Sequence, residues 1–404
     1  MAKLVNREIY LDFLKRHQDK PIIKVISGVR RSGKSTLFKL FSNYLEESGI
    51  PTEAIIMINF EDMRFDDLRD SKKLYDYLLP KVENKAKVYL FLDEIQHVAN
   101  FERVVDSLFI MDNIDLYITG SNAYFLSSEL ATLLSGRYVE LKLLPLSFAE
   151  FVSWKTEHGE KLTLADYYNQ YLSSSLPYTL FTDSEQETLE YLQGIYSTVV
   201  LNDIVTRLTI ADVRVLERLI ETLFSSVGSL VSTNKIRNTL VSNGTTVSNK
   251  TVEKYLQGIL DSLILYEAKR YDVHGRALLE THSKYYAVDM GIRNLILRDH
   301  SQDFGHVLEN IIYLELVRRG NKVYVGRIGS RKVDFVAINE KQELAYYQVA
   351  LTTLAEDVLE RELRPLKEIK DSYPKYLLTL DDLNKEANYG GIKKLNALDW
   401  LLRE

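Results

Sequence analysis

The run GVRRSGKST at residues 28–36 constrains this chain more than any other feature. It fits G-x-x-x-x-G-K-[ST], with Gly28, Gly33, Lys34 and Ser35 in the fixed places and Val29, Arg30, Arg31, Ser32 and Thr36 completing the loop. Such a loop turns its backbone N–H groups inward around a triphosphate, its lysine reaches the outer phosphates, and its hydroxyl ligates Mg²⁺. The mechanism needs a strand before the loop and a helix after it, because the helix N-terminus adds its dipole to anion binding. IIKVISG is an apolar, β-branched run of strand length, and STLFKLFSNYLEESG spaces its apolar residues helically up to Gly49 as a stop.

A nucleotide site also needs a buried strand that ends in a carboxylate. KVYLFLDEIQ, residues 87–96, supplies one, with Asp93 and Glu94 emerging at its end. The pattern assigns Asp93 to the metal and Glu94 to polarising the attacking water. A third strand, DLYITGSN at 115–122, ends in Thr119, Ser121 and Asn122, polar groups placed to orient that water. The stretch AYFLSSELATLLSG then reads as helical, and Arg137 stands immediately before another strand, YVELKLLPL.

The order GVRRSGKST, INFED, LFLDEIQ, ITGSN, SGRYVELKLLPLSFAEF resembles the prokaryotic AAA-type ATPases that carry a second module at the C-terminus, a domain of unknown function similar to restriction-endonuclease-like folds. The resemblance covers nearly the whole chain. It implies that Lys34 and Ser35 are the phosphate and Mg²⁺ contacts, that Asp93 and Glu94 are the acidic pair, and that Asn122 or Ser121 takes the sensor position. Arg137 falls where these ATPases place an arginine finger, in cis or toward a neighbouring subunit. The cofactors implied are ATP and Mg²⁺.

The rest of the chain reads as further α/β protein. Its 404 residues predict two or three domains, and 46% hydrophobic with 27% charged content suits ordinary globular folding. No stretch approaches the ~18 consecutive apolar residues of a membrane span. The charged N-terminus MAKLVNREIYLDFLKRH shows no signal-peptide core, and cysteine is absent, so a cytoplasmic protein without disulfides or thiol chemistry is expected. Four segments follow: an AAA-type P-loop ATPase domain over 1–146 with a parallel sheet and flanking helices, a helical connector over 147–210, a winged-helix-like module over 211–294, and a nuclease-like α/β domain over 295–404. Within the connector, Asp203 and Arg207 are spaced for an ion pair on a helix surface. The winged-helix-like module comprises three amphipathic helices and a hairpin around Gly275. Its residues 232–294 hold nine Lys or Arg against six Asp or Glu in a chain of net charge −6. Lys250, Thr251 and Lys254 begin the third helix, where such folds meet the major groove of double-stranded DNA. The competing expectation is an adaptor that binds protein partners, and oligomerisation stays open.

In the last segment the resemblance implies a nuclease-type pattern: a glutamate on a helix, an aspartate on one strand, then glutamate-x-lysine on the next. Glu309 and Asp334 match the first two elements, whereas the third reads Gln348, Val349, Ala350. Hydrolysis at such a site needs anionic oxygens for the metal and a cation for the water. Ala350 offers nothing where the lysine belongs, so a nuclease-like scaffold without nuclease activity is expected. Lys332, on the same strand face as Asp334, is the one nearby substitute.

Overall fold

The computed structural model describes residues 4–123, 134, 136–210, 212–297 and 304–403, with the backbone alone at 201, 202 and 280. The chain forms two compact units: Met1–Pro145 with Asp261–Leu263, and Leu146–Leu260 with Ile264–Glu404.

The first unit is a parallel sheet of β1 (Ile23–Ser27), β2 (Ile55–Asn59), β3 (Val88–Asp93), β4 (Ile114–Gly120) and β5 (Tyr138–Lys142), ordered β2-β3-β4-β1-β5. Parallel strands are covered on both faces and therefore read as continuous apolar runs. Every residue of β1 and β3 is buried, including Lys24, whose ammonium pairs with Asp115 of β4 inside the sheet. Helix Lys34–Glu47 buries Leu37, Phe38, Phe41 and Leu45 on one stripe. Phe38 meets Phe91 of β3 at 5.0 Å, and Phe41 meets Tyr117 of β4 at 5.3 Å. The helix stops at Gly49, whose φ of +91° suits the left-handed position after a helix. The expected helix over 123–136 lies almost wholly outside the described residues.

The second unit opens on helices Phe148–Glu157 and Leu164–Tyr171, each started by a reciprocal capping box, Ser147 with Glu150 and Thr163 with Asp166. Tyr167, Tyr168 and Tyr171 are buried, as the helical spacing of the tyrosines implies. Helix Glu185–Thr198 continues as a π-helical segment, Val199–Thr206. Asp203 there is buried rather than on the surface, and Arg207 is half-buried with Nη2 donating to the Gly258 carbonyl at 3.3 Å. Asp203 is thus drawn into the interior instead of lying on a helix surface. Helices Val213–Ser225, Thr233–Ser242 and Asn249–Asp261 follow as the sequence implies.

The hairpin after them departs from the expected division. β6 (Leu265–Asp272) and β7 (Ala277–Ala287) pair with each other, but β6 also pairs in parallel with β8 (Lys322–Ile328). The hairpin is therefore the edge of one eight-stranded mixed sheet, completed by β9 (Arg331–Ile338), β10 (Leu344–Ala350), β11 (Lys375–Thr379), β12 (Glu386–Tyr389) and β13 (Ile392–Asn396) in the order β12-β13-β11-β10-β9-β8-β6-β7. A boundary at 294/295 would cut this sheet. Helices Phe304–Arg318 and Glu356–Glu368 pack on it, the latter closing a core of Val333, Val336, Tyr346, Leu363, Leu366 and Leu377.

Candidate active site

The carboxyl edge of a parallel sheet is where open α/β folds gather ligands, and β1 delivers Gly28 there. A Cβ on Gly28 would stand 2.4 Å from the Leu143 carbonyl oxygen and 2.9 Å from Ser32 Oγ, so only glycine lets the loop leave the strand on this path. Gly33, at φ +102°, turns the loop into the helix as its N-cap. Arg31 also takes a left-handed conformation, and Arg30 reaches out to Glu61 at 3.0 Å. Ser32 Oγ is buried with no hydrogen-bond partner, an acceptor and donor held ready inside the loop. Lys34, 4% exposed, donates to the carbonyls of Gly28 at 3.0 Å and Val29 at 3.4 Å. Ser35 and Thr36 are half-buried in the first helical turn. Behind the loop, the buried guanidinium of Arg7 donates to the carbonyls of Ser32 at 3.2 Å and Leu144 at 2.8 Å. Nothing in a lone arginine before a helix signals that role.

Asp93 and Glu94 meet this loop although β4 separates their strand from β1. Asp93 accepts from Thr119 Oγ1 at 2.6 Å and from Asn59 Nδ2 at 2.9 Å, and the Ser35 hydroxyl hydrogen-bonds to it as well. Burial pushes its carboxyl above the usual carboxylate range, opposed by the hydroxyls of Ser35 and Thr119. Glu94 adopts φ +55°, ψ +48°, a left-handed conformation unusual for glutamate, and its N–H donates to Thr119 Oγ1 at 2.8 Å. Its Oε1 lies 3.3 Å from Lys34 Nζ, and its Oε2 accepts from Gln96 Nε2 at 2.5 Å. Burial works against the charge of Glu94, but Lys34, Gln96 and Ser121 outweigh it and hold the carboxyl below its ordinary range. Hydroxyl and carboxylate oxygens side by side, Ser35 with Asp93, are the hard donors that suit Mg²⁺.

Asn122 follows Ser121 past the end of β4 and is half-buried, whereas Ser121 is fully buried and accepts from Gln96 Nε2 at 3.2 Å. Arg137 is placed elsewhere. β1 and β5 run parallel with Ile23 opposite Tyr138, so Arg137 sits at the amino edge of the sheet, beyond the far end of β1 from the loop. Six strand residues at about 3.3 Å each put it about 20 Å away, and its side chain pairs with Asp106 on an exposed surface. The structure therefore does not bring Arg137 to its own chain's loop.

In the second unit Glu309 and Asp334 do come together, around a lysine that the sequence pattern did not indicate. Lys284 of β7 lies 2.6 Å from Glu309 Oε1 and 3.5 Å from Asp334 Oδ1, and Tyr286 donates to Glu309 at 2.5 Å. Burial and the charge of Asp334 push the Glu309 carboxyl up to about 7, with Lys284 opposing. Gln348 Oε1 accepts from the Asp334 N–H at 3.3 Å while its Nε2 donates to Glu362 at 2.8 Å. Lys332 is exposed and takes no part in the cluster.

A glycine loop and an acidic strand end that meet across an intervening strand form the arrangement of P-loop ATPases of the AAA type, and the AAA domain family matches residues 20–152. Over its whole length the chain belongs to one family with an uncharacterized protein of Haemophilus influenzae, 39% identical over 403 residues and covering 99% of each chain. The uncharacterized protein MJ1544 of Methanocaldococcus jannaschii is 31% identical across 98% of this chain and 88% of its own. A domain of unknown function, DUF8612, matches residues 164–303. Among solved structures, the Walker-type ATPase PABY2304 of Pyrococcus abyssi is similar with a TM-score of 0.50 at 15% identity, over 72% of this chain and 96% of that one, a likeness of fold alone. Among the described residues no helix is long and apolar enough to cross a membrane.

Proposed function

We propose that the chain binds Mg²⁺–ATP in the Gly28–Thr36 loop and hydrolyses it. The observation that carries this is the convergence of Lys34, Ser35, Asp93 and Glu94 on one spot from motifs some sixty residues apart, with Lys34 and Glu94 only 3.3 Å from each other. Lys34 offsets phosphate charge, exchanging its two carbonyl partners for phosphate oxygens. Ser35 and Asp93 would hold Mg²⁺, which would offset negative charge on the phosphates. Glu94, kept ionised, takes the proton of the attacking water, and Thr119 fixes both members of the acidic pair. Arg137, remote from its own loop, is read as acting toward a neighbouring copy. The test is Lys34→Ala: nucleotide binding and turnover should both fall to background, and a variant that turns over like the wild type would sink the assignment.

Hydrolysis is read as driving a conformational switch whose partner lies with the second unit. Two partners compete, double-stranded DNA at the winged-helix-like module and protein at the same surface. What supports the second is that four of the nine basic residues are withdrawn from phosphate: Lys254 donates to the Leu208 carbonyl, Arg237 to that of Val247, and Lys284 and Arg293 are buried. Lys235, Lys250, Lys269 and Arg276 stay exposed and remain for phosphate contact. Stimulation of the ATPase by duplex DNA that fades steeply with salt would restore the DNA reading. We read the 295–404 segment as nuclease-like in descent without nuclease activity.

A further inference from the structure

Gln96 follows Glu94 by two residues and is tied to it. Its Nε2 donates to Glu94 Oε2 at 2.5 Å and to Ser121 Oγ at 3.2 Å, while its Oε1 is buried with no hydrogen-bond partner. The amide has only this orientation, since reversing it would set its oxygen against a carboxylate. A buried acceptor beside the base, left open, points to a small donor that belongs there. We infer that Gln96 is a positioning residue for the hydrolytic water, pinning Glu94 through its nitrogen and holding the water through its oxygen. The inference rests on the hydrolase reading above.

The two oxygens of Glu94 answer to different partners, Oε1 to Lys34 and Oε2 to Gln96. When phosphate oxygens take over Lys34 Nζ, Oε1 is released and Oε2 stays fixed. The water then directs one hydrogen to Glu94 Oε1 and the other to Gln96 Oε1, which aims its lone pair at the γ-phosphorus. As the water oxygen bonds to phosphorus, its proton passes to Glu94. The bond to the β,γ-bridging oxygen breaks and leaves its electron pair on ADP, and inorganic phosphate departs. Ser121 anchors the amide from the end of β4, and Asn122 has no part in this scheme.

The experiment compares wild type, Gln96→Leu and Gln96→Asn as full-length chains in three measurements: steady-state turnover, affinity for ATPγS, and affinity for ADP with aluminium fluoride, which traps the in-line water. Gln96→Leu should lower kcat by about 10²-fold, the order found for losing one preorganised polar group. It should weaken the aluminium fluoride complex by a similar factor and leave ATPγS affinity within about twofold, as a group acting on the transition state alone requires. Gln96→Asn should recover part of both losses. A Gln96→Leu variant with wild-type kcat, or one that loses ATPγS affinity as much as kcat, overturns the inference while the hydrolase reading stands. A wild type no faster than Lys34→Ala overturns the hydrolase reading and this inference with it.

Discussion

Of the buried lysines that face carboxylates, Lys34 and Lys284 do so in opposite ways. Lys34 stands on a glycine loop, 3.3 Å from Glu94, and it also donates to two backbone carbonyls, Gly28 at 3.0 Å and Val29 at 3.4 Å. Each of those contacts is tradeable, because a carbonyl released at the loop can turn to water and a phosphate oxygen can replace it. Lys284 stands in mid-strand on β7, between Glu309 and Asp334, with Tyr286 completing the set. No loop gives way there, and the second carboxylate leaves the lysine nowhere to go. A cation on a yielding backbone serves a ligand, whereas one locked between two anions on regular elements serves the fold.

The contrast can be broken at either end. Glu94→Gln should keep ATP affinity and lose about 10²–10⁴ in turnover, the usual worth of a general base; wild-type turnover would return Glu94 to a purely electrostatic partnership with Lys34. Lys284→Met should leave nucleotide turnover near wild type yet destabilise the second unit by about 3–5 kcal/mol, the cost of stripping one partner from a buried charge group. Denaturant unfolding followed at the second unit's tryptophans Trp154 and Trp400 reads this directly. An unchanged unfolding midpoint with altered activity would move Lys284 to the functional side of the comparison. The smallest effect expected is none: supercoiled plasmid with Mg²⁺ or Mn²⁺ should stay intact with wild type and with Asp334→Ala alike. Nicking by the first that vanishes in the second would make the Lys284 cluster catalytic.

The first site was legible because its elements announce themselves locally. GVRRSGKST fixes its own turn chemistry, and VYLFL and LYIT are continuous apolar runs because their strands are covered on both faces. What escaped was long-range. Arg7 and Gln96 each gain their role only when distant backbone or side chains close around them. Lys284 and Tyr286 share one face of β7, but nothing in HSKYYAV says that Glu309 and Asp334 will meet that face. Lys24 and Asp115 did leave a trace, since each charge interrupts an otherwise apolar strand, and two such interruptions on neighbouring strands are most easily satisfied by each other. The hairpin β6–β7 looked free-standing for the same reason: turn chemistry around Gly275 is local, whereas pairing of β6 with β8 spans more than fifty residues of chain.

The order β2-β3-β4-β1-β5 also sets a timetable. β1 touches neither β2 nor β3, so a chain that has left the ribosome only through residue 113 holds both phosphate motifs but no strand to join them. Nucleotide therefore offers no template for the first steps of folding and can act only after Ile114–Gly120 has slotted between the two motifs. Synthesis at about 5–20 residues per second leaves an interval of about seconds in which a β-branched, apolar β1 is on its own. Sequestering that strand falls to whatever meets the nascent chain, and binding competence arrives abruptly, late and all at once.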